Sequence, residues 1–405
     1  MGTMARFKTL DDLEVDGKTV LLRVDFNVPL RDGAVADATR IVRSLPSIED
    51  LSNRGARIVL MSHLGRPKGE RRADLSLAPL VEALAERLSG RRVAFAPDCI
   101  GAEAETVVAG LAPGEVALLE NLRFHPGEEA NDAEFAAALA RLGELYVNDA
   151  FAAAHRAHAS VAALAGLLPA AAGRLMEAEL DSLGAALDNP ARPVVALVGG
   201  AKISTKLDLL GNLLDKADAV VVGGAMANTF LHARGLDVAE SLCEPDMAET
   251  ARDLLRRAEA AGRELVLPVD AVVADRLARN VRTAAVPVET VPPGRMILDV
   301  GPATAELICA KLAESRTLVW NGPLGCFETP PFDAGTNRVA AEAAALTRAG
   351  KLFSVAGGGD TLAALAQAGA AEDFSYLSTA GGAFLEWLQG RTLPGVAALE
   401  AAAGN

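Results

Sequence analysis

The sequence of 405 residues is poor in aromatic residues, poor in cysteine and short of basic charge, and each shortage excludes a class of protein. Phe, Trp and Tyr together make up 4% of the chain, so a core must be built mainly from Ala, Val and Leu. The formal net charge of −14 argues against a nucleic-acid-binding protein, which normally presents a basic face. The four cysteines are far apart and form no CxxC pair, so neither a disulfide framework nor a zinc site is expected.

Long apolar segments are missing as well. Residues 1–8 contain no apolar core of the signal-peptide kind, and the most apolar stretch, residues 161–173, is too short to span a bilayer. Together with the unpaired cysteines, these features predict a cytoplasmic protein. The composition, 51% hydrophobic and 23% charged, is that of a globular chain, and the length predicts two domains.

Two common phosphate-binding signatures do not occur. The chain contains neither G-x-x-x-x-G-K-S/T nor G-x-G-x-x-G. Their absence argues against a P-loop NTPase and against a hydride-transfer enzyme with a standard dinucleotide site. Any nucleotide site in this chain must therefore use a different glycine-rich turn.

The chain does contain a recurring unit, in which a short apolar run leads through a polar or glycine-rich turn into a helical stretch. Continuously apolar strands that alternate with helices predict parallel sheets covered on both faces, with ligands at the carboxyl ends of the strands. We therefore expect an α/β protein of two doubly wound, Rossmann-like domains. The predicted strands are Val20–Val24, Ile58–Met61, Val116–Leu119 and Leu145–Val147 in the first half, and Val194–Val198, Ala219–Val222, Ile297–Val300, Leu318–Trp320 and Leu352–Val355 in the second.

One helix is expected to join the two domains. Residues 174–188 carry Leu and Met at helical spacing and end in Asp188-Asn189-Pro190, a turn signal. We predict a first domain over residues 1–173, an interdomain helix with a hinge over residues 174–188, and a second domain over residues 189–390.

The strand-end loops of the first half carry many basic side chains for so acidic a protein. Guanidinium groups match carboxylate and phosphate bidentately, so the set predicts a pocket for an anion that carries both groups. For any single arginine, a solvated surface position is the alternative. The basic residues are Arg23, Arg40, His63, Arg66, Arg123 and Arg156, with Asp25 and Asn27 available for hydroxyl groups.

The histidines show no metal-binding pattern. His155 and His158 have no carboxylate or cysteine partner at a suitable spacing, so packing or capping is expected for both. His125 and His232 carry no pattern at all.

In the second half, three glycines and Asp360 precede a helical run. Amides at a helix start can approach a phosphate closely, and Asp360 could hold Mg²⁺, although an Asp at this place is also a common N-cap. Lys202 and Lys206 are four residues apart after another glycine turn, which predicts one helical face that neutralises phosphate or is simply solvated. Residues 378–383 form a second glycine turn with free amides.

Taken together, these strings resemble the phosphoglycerate kinase family nearly end to end. The segments that carry the resemblance are RVDFNVP (23–29), SHLGRP (62–67), LENLRF (119–124), NDAF (148–151), HRAHAS (155–160), GGAK (199–202), VWNGPLG (319–325) and GGGDT (357–361).

The resemblance implies a substrate domain and a nucleotide domain. The first domain would bind 3-phosphoglycerate or 1,3-bisphosphoglycerate through Asp25, Phe26, Asn27, Arg40, His63, Leu64, Gly65, Arg66, Arg123 and Arg156. The second would bind ADP or ATP with Mg²⁺ through Gly200, Ala201, Lys206, Gly223, Gly224, Asn321, Pro323, Glu328, Gly358, Gly359, Asp360 and Thr361. In this set Glu328 would contact the ribose and Asp360 the metal.

The resemblance also implies catalytic groups and a closing tail. The phosphoryl group in flight would be stabilised by Arg40 and Lys202 and by amides near Gly358 and Gly381. The tail, residues 391–405, would pack back on the first domain, and a monomer without nucleic-acid or membrane partners is expected. A bilobal anion-binding protein without catalysis would explain two domains and a basic pocket, but not the glycine-rich nucleotide site.

Four residues depart from the family pattern. Ala152 and Ala153 stand where the family usually has Gly-Thr, and Ala380 replaces the first glycine of a usual Thr-Gly-Gly-Gly turn. Because two glycines follow Ala380, the turn is expected to be preserved. Tyr376 stands where many members have a histidine thought to interact with the interdomain helix, so this departure concerns the hinge contact and not the chemistry.

Overall fold

The computed structural model describes residues 7–404, which divide into two compact units. The first unit comprises residues 7–180 with the C-terminal segment 392–404, and the second is Asp181–Arg391. The point of division lies inside the helix Arg174–Leu187. Residues 1–6 of the predicted first domain and Asn405 of the predicted tail lie outside the described residues.

The first unit is built on a parallel sheet with the order β5-β6-β4-β1-β7-β8. The strands of the unit are β1 (Thr19–Arg23), β2 (Leu30–Arg31), β3 (Ala34–Val35), β4 (Arg57–Met61), β5 (Val93–Ala96), β6 (Val116–Leu119), β7 (Leu145–Asn148) and β8 (Ala170–Ala172), of which β2 and β3 lie outside the parallel sheet. Its helices are α1 (Thr39–Asn53), α2 (Leu80–Arg87), α3 (Gly101–Ala109), α4 (Pro126–Glu129), α5 (Ala133–Ala140) and the start of α6 (Arg174–Leu187). Strand β1 lies between β4 and β7, so the loops after these three strands meet at one edge of the sheet.

The second unit repeats this plan with the order β11-β10-β9-β15-β16-β17, again all parallel. The strands of the unit are β9 (Val194–Val198), β10 (Ala219–Val222), β11 (Glu264–Val266), β12 (Asp270–Ala274), β13 (Ala284–Pro287), β14 (Met296–Val300), β15 (Thr317–Asn321), β16 (Phe353–Gly357) and β17 (Tyr376–Ser378). Its helices are α7 (Leu207–Lys216), α8 (Ala225–Ala233), α9 (Ala248–Ala260), α10 (Pro302–Glu314), α11 (Ala334–Arg348), α12 (Gly359–Gln367) and α13 (Gly382–Leu388).

The strands are continuously apolar because helices cover both faces of each sheet. Every residue of β1, β6, β9 and β15 is buried. Small and aliphatic side chains make up most of both cores, as the shortage of aromatic residues predicted. The prediction of two doubly wound parallel sheets is confirmed.

One predicted strand belongs to a different sheet. Residues 297–300 were expected within the parallel scheme, but β14 pairs antiparallel with β12 in a separate sheet of order β13-β12-β14. A run of apolar residues looks the same in a buried parallel strand and in a buried antiparallel one, so only the pairing distinguishes them.

The C-terminal segment of the first unit ends in a last helix, α14 (Pro394–Ala403). The amide of Gly395 donates to the Ala154 carbonyl at 2.9 Å, and a Cβ at Gly395 would come within 2.8 Å of Val161 Cγ1. Short 3₁₀ turns link the larger elements at Leu10–Asp12, Ala73–Leu75, Leu122–Phe124, Phe151–Ala153, Ala163–Gly166, Ile203–Thr205, Pro245–Met247, Val288–Thr290 and Ala371–Asp373. Within residues 7–404, none of the helices combines the length and the apolar character that crossing a membrane requires.

Candidate functional site

The loops that follow β1 and β4 are tied together at the carboxyl edge of the first sheet. The amide of Phe26 donates to Ser62 Oγ at 2.8 Å, and the amide of Gly65 donates to Asn27 Oδ1 at 2.9 Å. Because Phe26 and Leu64 are buried in the core, neither side chain is exposed for contact with a ligand. The polar groups that remain at this edge come from the neighbouring loop residues.

Arg23 ends β1 and is fully buried, which is unusual for a guanidinium group. Its Nη2 lies 3.1 Å from His63 Nδ1. Burial, followed by the charges of Arg23 and Arg123, holds the pKa of His63 well below its usual range, so the ring is neutral. Because a guanidinium group can only donate, Nδ1 accepts and the ring proton lies on Nε2. His63 therefore offers a hydrogen-bond donor and no charge.

A buried carboxylate balances the charge of Arg23. Arg23 Nε donates to Ser160 Oγ at 2.9 Å, and Ser160 donates in turn to Glu128 through its hydroxyl at 2.6 Å and its amide at 2.9 Å. Glu128 is fully buried, and Tyr146 OH donates to the Ser160 carbonyl at 2.7 Å. Sequence reasoning missed Glu128, because a Glu next to another Glu in a short helix looks like any surface residue.

Arg123 and Arg156 belong to the same electrostatic cluster as Arg23. Arg123 is buried, and its Nη1 donates to the Gly65 carbonyl at 2.8 Å. Burial, then the charges of Arg23 and Arg156, lower the pKa of Arg123 to about 10, so it stays protonated at neutral pH. Burial and these arginines also lower the pKa of His158 to about 4, so its ring is neutral. His158 is buried, which agrees with packing, one of the two roles expected for it.

Arg40 and Arg66 are placed differently from the buried cations. Arg40 lies in the first turn of α1, is half-exposed, and forms an ion pair with Asp25. The Asp25 carboxylate also accepts the amide of Asn27 at 3.1 Å. Arg66 follows Gly65 but is exposed, and among residues 7–404 no ion pair or hydrogen bond draws its side chain into the cluster. All the predicted basic residues except Arg66 therefore interact with one another, through direct contacts or through their charges.

In the second unit, glycines allow the ends of the central strands to approach each other. A Cβ at Gly199 would overlap the Pro323 carbonyl oxygen. Gly224 has a φ of 66°, and a Cβ there would lie 2.7 Å from the Gly200 carbonyl oxygen. Gly223 is equally confined, since its Cβ would lie 2.5 Å from Leu324 Cδ2. These contacts leave backbone, and not side chains, at the carboxyl edge of the sheet.

Lys206 is held at this edge by oxygen atoms from two strands. Its Nζ donates to the Gly199 carbonyl at 2.6 Å and to Asn321 Oδ1 at 2.7 Å. Burial lowers the pKa of Lys206 to about 8, and the charge of Asp360 opposes that shift. Lys206 therefore remains largely protonated at neutral pH and lies within the electrostatic reach of Asp360.

The prediction that Lys202 and Lys206 share a helical face is wrong. The intervening residues form the 3₁₀ turn Ile203–Thr205, and α7 begins only at Leu207. Lys202 is exposed and contributes to the lowered pKa of Glu244, whereas Lys206 is turned inward. The 3₁₀ turn takes up the residues that a continuous α-helix would have used, so a spacing of four does not put both lysines on one side.

The start of α12 provides free amides and a free carboxylate. Gly358, with a φ of 99°, is the N-cap, and a Cβ there would lie 2.7 Å from Asn321 Nδ2. Thr361 Oγ1 accepts the Gly322 amide at 2.7 Å and donates to the Gly357 carbonyl at 2.9 Å. Asp360 lies in the first turn and is exposed, so the alternative that it is the N-cap is wrong.

A cavity of about 250 Å³ opens beside this edge within the second unit. Of the predicted nucleotide residues it is lined by Gly200, Ala201, Gly224, Pro323, Glu328 and Asp360. The remaining ones, Lys206, Gly223, Asn321, Gly358, Gly359 and Thr361, do not line it. Apolar lining residues such as Leu231, Leu242 and Ile297 were missed from the sequence, because they come from separate elements with no common motif.

The oxygen atoms needed for a hard cation are present at the cavity. The Asp360 carboxylate is exposed, lines the cavity and caps no helix, which fits Mg²⁺, a cation that takes few protein carboxylates and completes its shell with phosphate and water. At the second glycine turn, Gly381 has a φ of 51° and α13 starts directly after it. Gly381 does not line the cavity.

Comparison with known proteins gives a consistent result. The family model described as phosphoglycerate kinase matches residues 10–391. Among curated proteins, a phosphoglycerate kinase of Ruegeria sp. (strain TM1040) is 60% identical over 97% of this chain and 99% of the relative. One of Methylorubrum extorquens is 58% identical over 98% of this chain and 100% of the relative.

Solved structures give the same result. The phosphoglycerate kinase of Coxiella burnetii is 40% identical with a TM-score of 0.91, covering 98% of this chain and 100% of that one. The phosphoglycerate kinase of Pyrococcus horikoshii OT3 is 32% identical with a TM-score of 0.77, covering 98% and 99% of the two chains.

Proposed function

Because the chain belongs to the phosphoglycerate kinase family, we propose that it catalyses the reversible transfer of a phosphoryl group from 1,3-bisphosphoglycerate to ADP, giving 3-phosphoglycerate and ATP. The resemblance found in the sequence is confirmed by the family match. The observation that carries the proposal is that one unit holds a buried cation cluster and the other holds a glycine-rich edge beside a cavity. The alternative of a bilobal protein without catalysis is not supported.

The first unit is proposed to bind the phosphoglycerate. Arg123 and Arg156 supply charge for its phosphate, and His63 supplies an N–H donor without adding to the crowding of cations. Asp25 and Asn27 suit the hydroxyl group, and the exposed Arg66 is free to turn toward the anion when it binds. The proposed set also includes the backbone of Phe26, Leu64 and Gly65.

The second unit is proposed to bind ADP or ATP. Its apolar cavity suits a nucleobase, Glu328 at the rim can accept ribose hydroxyls, and the amides of Gly358, Gly359 and Thr361 can approach phosphate oxygens. Asp360 would hold Mg²⁺, which when bound neutralises charge on the phosphate oxygens. Lys206, fixed by Asn321, adds a positive charge at the same edge.

Transfer itself is proposed to be direct and in line. No covalent enzyme intermediate is needed, so positioning and charge neutralisation are the main tasks of the protein. We assign these tasks to Arg40, Lys202 and the amides near Gly358 and Gly381. Since the two ligands are proposed to bind different units, a hinge motion must bring the reacting groups together and exclude water.

The proposal extends to the setting of the protein. We propose a cytoplasmic monomer that acts on small molecules alone. An acidic chain with four free cysteines fits this setting.

A coupled assay tests the proposed reaction. Purified protein, ADP, Mg²⁺ and 1,3-bisphosphoglycerate generated in place are expected to yield ATP, and omission of Mg²⁺ is expected to abolish the yield. Asp360→Asn is expected to weaken Mg²⁺ binding and to raise the Mg²⁺ concentration that gives half-maximal activity, whereas Asp253→Asn, which removes an exposed carboxylate of α9, is the matched control and should leave that concentration unchanged. Absence of ATP formation by folded protein would refute the assignment.

A further inference from the structure

A cluster of potential metal ligands lies in the first unit, apart from the residues assigned to the substrate. Asp98 and Cys99 follow strand β5, and His125 follows the 3₁₀ turn Leu122–Phe124. One ligand atom from each residue lies within 4.8 Å of the other two. Among residues 7–404 this is the one group of three or more His, Cys, Asp or Glu residues that meets this distance.

We propose that Asp98, Cys99 and His125 form a binding site for a divalent transition-metal ion such as Zn²⁺. One thiolate, one imidazole and one carboxylate are three of the ligands that Zn²⁺ takes in proteins, and a water molecule would complete a tetrahedron. Mg²⁺ prefers oxygen ligands only, so the thiol and the imidazole favour a softer cation.

The present geometry is close to what such an ion needs. With bonds of about 2.0–2.3 Å, tetrahedral ligands lie roughly 3.3–3.8 Å apart. His125 Nε2 and Asp98 Oδ1 are now 2.6 Å apart in a hydrogen bond, so this pair would have to open by less than about 1 Å. The His125 ring also packs against Phe135, with the ring centroids 5.4 Å apart and the ring planes inclined at 30°, which limits its movement.

The charge around the thiol favours a cation. The carboxylates of Asp98 and Glu128 place negative charge near the Cys99 thiol. Binding of a dication would release the thiol proton to solvent, and the ion would then be neutralised by one thiolate and one carboxylate. Arg71 Nη2 lies 3.5 Å from Asp98 Oδ2 and donates to the Pro97 carbonyl at 2.7 Å, so the weaker contact, with Asp98, is the one that an ion would replace.

The site is also accessible from solvent on one side. Cys99 is fully buried, whereas the side chains of Asp98 and His125 are 28% and 29% exposed. An ion can therefore enter past the imidazole and the carboxylate and reach the thiol behind them. No sequence pattern pointed to this site, because a single Cys and a His 26 positions later match no metal-binding spacing.

Cobalt titration of the full-length protein tests the proposal. Co²⁺ is the probe, because a thiolate ligand produces a sulfur-to-cobalt charge-transfer band in the near ultraviolet and four-coordination produces intense visible bands. After treatment with chelator and reductant, the protein is expected to show both signals, saturating at one Co²⁺ per chain, and Zn²⁺ is expected to displace them.

Matched variants locate the ion. Cys99→Ser is expected to remove the charge-transfer band, and His125→Gln to weaken cobalt binding at least tenfold. Cys243→Ser, His232→Gln and Asp253→Asn are expected to leave the titration unchanged, since these residues lie outside the cluster. The melting temperature of each variant without metal shows whether it is folded. If Cys99→Ser does not fold, His125→Gln still tests the site, because His125 is partly exposed and its replacement disturbs packing less.

Three outcomes would overturn the proposal. They are a wild-type protein that shows no charge-transfer band, a band that persists in folded Cys99→Ser, or a titration that His125→Gln and His232→Gln affect equally. None of these outcomes depends on kinase activity, so the proposal of a metal site is tested independently of the proposed function.

Discussion

The two units present positively charged and hydrogen-bond-donating groups in opposite ways. The first uses side chains, with Arg23 and Arg123 buried around a neutral His63 and balanced through Ser160 by Glu128. The second uses main chain, with glycines at strand ends exposing amides and Lys206 as its inward cation. Buried charges cost desolvation and need partners, whereas amides at helix starts cost little but need glycine conformations. Substitutions should therefore have different consequences in the two units.

The largest expected effect is on catalysis in the first unit. Arg40→Ala is expected to lower turnover by at least about 10²-fold and to change the melting temperature by only a few degrees, because a half-exposed arginine supports transition-state charge and little packing. Steady-state kinetics and a thermal melt measure both. Arg92→Ala, which removes an exposed arginine just before β5, is the control and should keep its turnover. Unchanged turnover in Arg40→Ala would remove Arg40 from the mechanism.

The next effect concerns backbone approach in the second unit. Gly199→Ala is expected to lower the free energy of unfolding by about 2 kcal/mol, because the new Cβ would overlap the Pro323 carbonyl oxygen and the strand ends would have to separate. Nucleotide affinity should fall with it. Gly184→Ala, in α6 with no atom within 4 Å of the new Cβ, should instead be neutral or stabilising. Urea denaturation compares the two, and equal stabilities would contradict the close approach.

A smaller effect separates buried from exposed hydrogen bonds of the same length. Ser160 Oγ and Ser204 Oγ each donate to a glutamate at 2.6 Å, but only the first pair is buried. Ser160→Ala is expected to cost about 1–2 kcal/mol, because Arg23 and Glu128 would each lose a buried partner. Ser204→Ala should cost less than about 0.5 kcal/mol. Equal losses in chemical denaturation would show that the buried relay does not stabilise the first unit.

The smallest expected effect is on the pH dependence of stability, which should run in opposite directions for one buried group in each unit. Burial and neighbouring arginines lower the pKa of His158 to about 4. The neutral ring therefore contributes fully to the free energy of unfolding above about pH 6.5, the pKa of His in the unfolded chain, and this contribution is lost as the pH falls toward 4. Burial raises the pKa of Asp299, in the second unit, to about 7. Its contribution is complete below about 4 and is lost as the pH rises toward 7.

Single variants separate these two contributions. His158→Gln is expected to flatten the loss of stability between about pH 6.5 and 4, and Asp299→Asn to flatten the loss between about pH 4 and 7. Denaturation midpoints measured across this range give the slopes. If either variant had the same slope as the wild type in its window, the corresponding group would not titrate as described.

Much of the fold was predictable because the evidence for it is local. Strands such as Val194–Val198 and Val116–Leu119 end where the sequence predicts, since apolar runs and glycine turns mark their limits. The positions of polar and basic residues in the strand-end loops were predictable for the same reason. The pairing of β14 was not, because pairing depends on the path of the chain through Asp270–Ala274 and beyond, and a short apolar run carries no information about its partner.

The errors and omissions at the candidate site share one cause. The orientation of Lys202 depends on the 3₁₀ turn that interrupts the expected helix. The role of Glu128 depends on Ser160, 32 positions later, and the cluster of Asp98, Cys99 and His125 depends on two loops that meet only in the fold. In each case a spacing rule applied to one segment could not describe a contact between segments.

By itself, the sequence determined the alternation of strand and helix, the edge of each sheet that carries polar groups, and the family to which the chain belongs, because these follow from composition and motif within short segments. Only the tertiary structure decided which of those groups are charged, which are buried and which face one another. Protonation of His63, Lys206 and Asp299 depends on desolvation and on charges brought near from distant positions. Distance and solvent exposure are properties of the folded chain, and no local pattern encodes them.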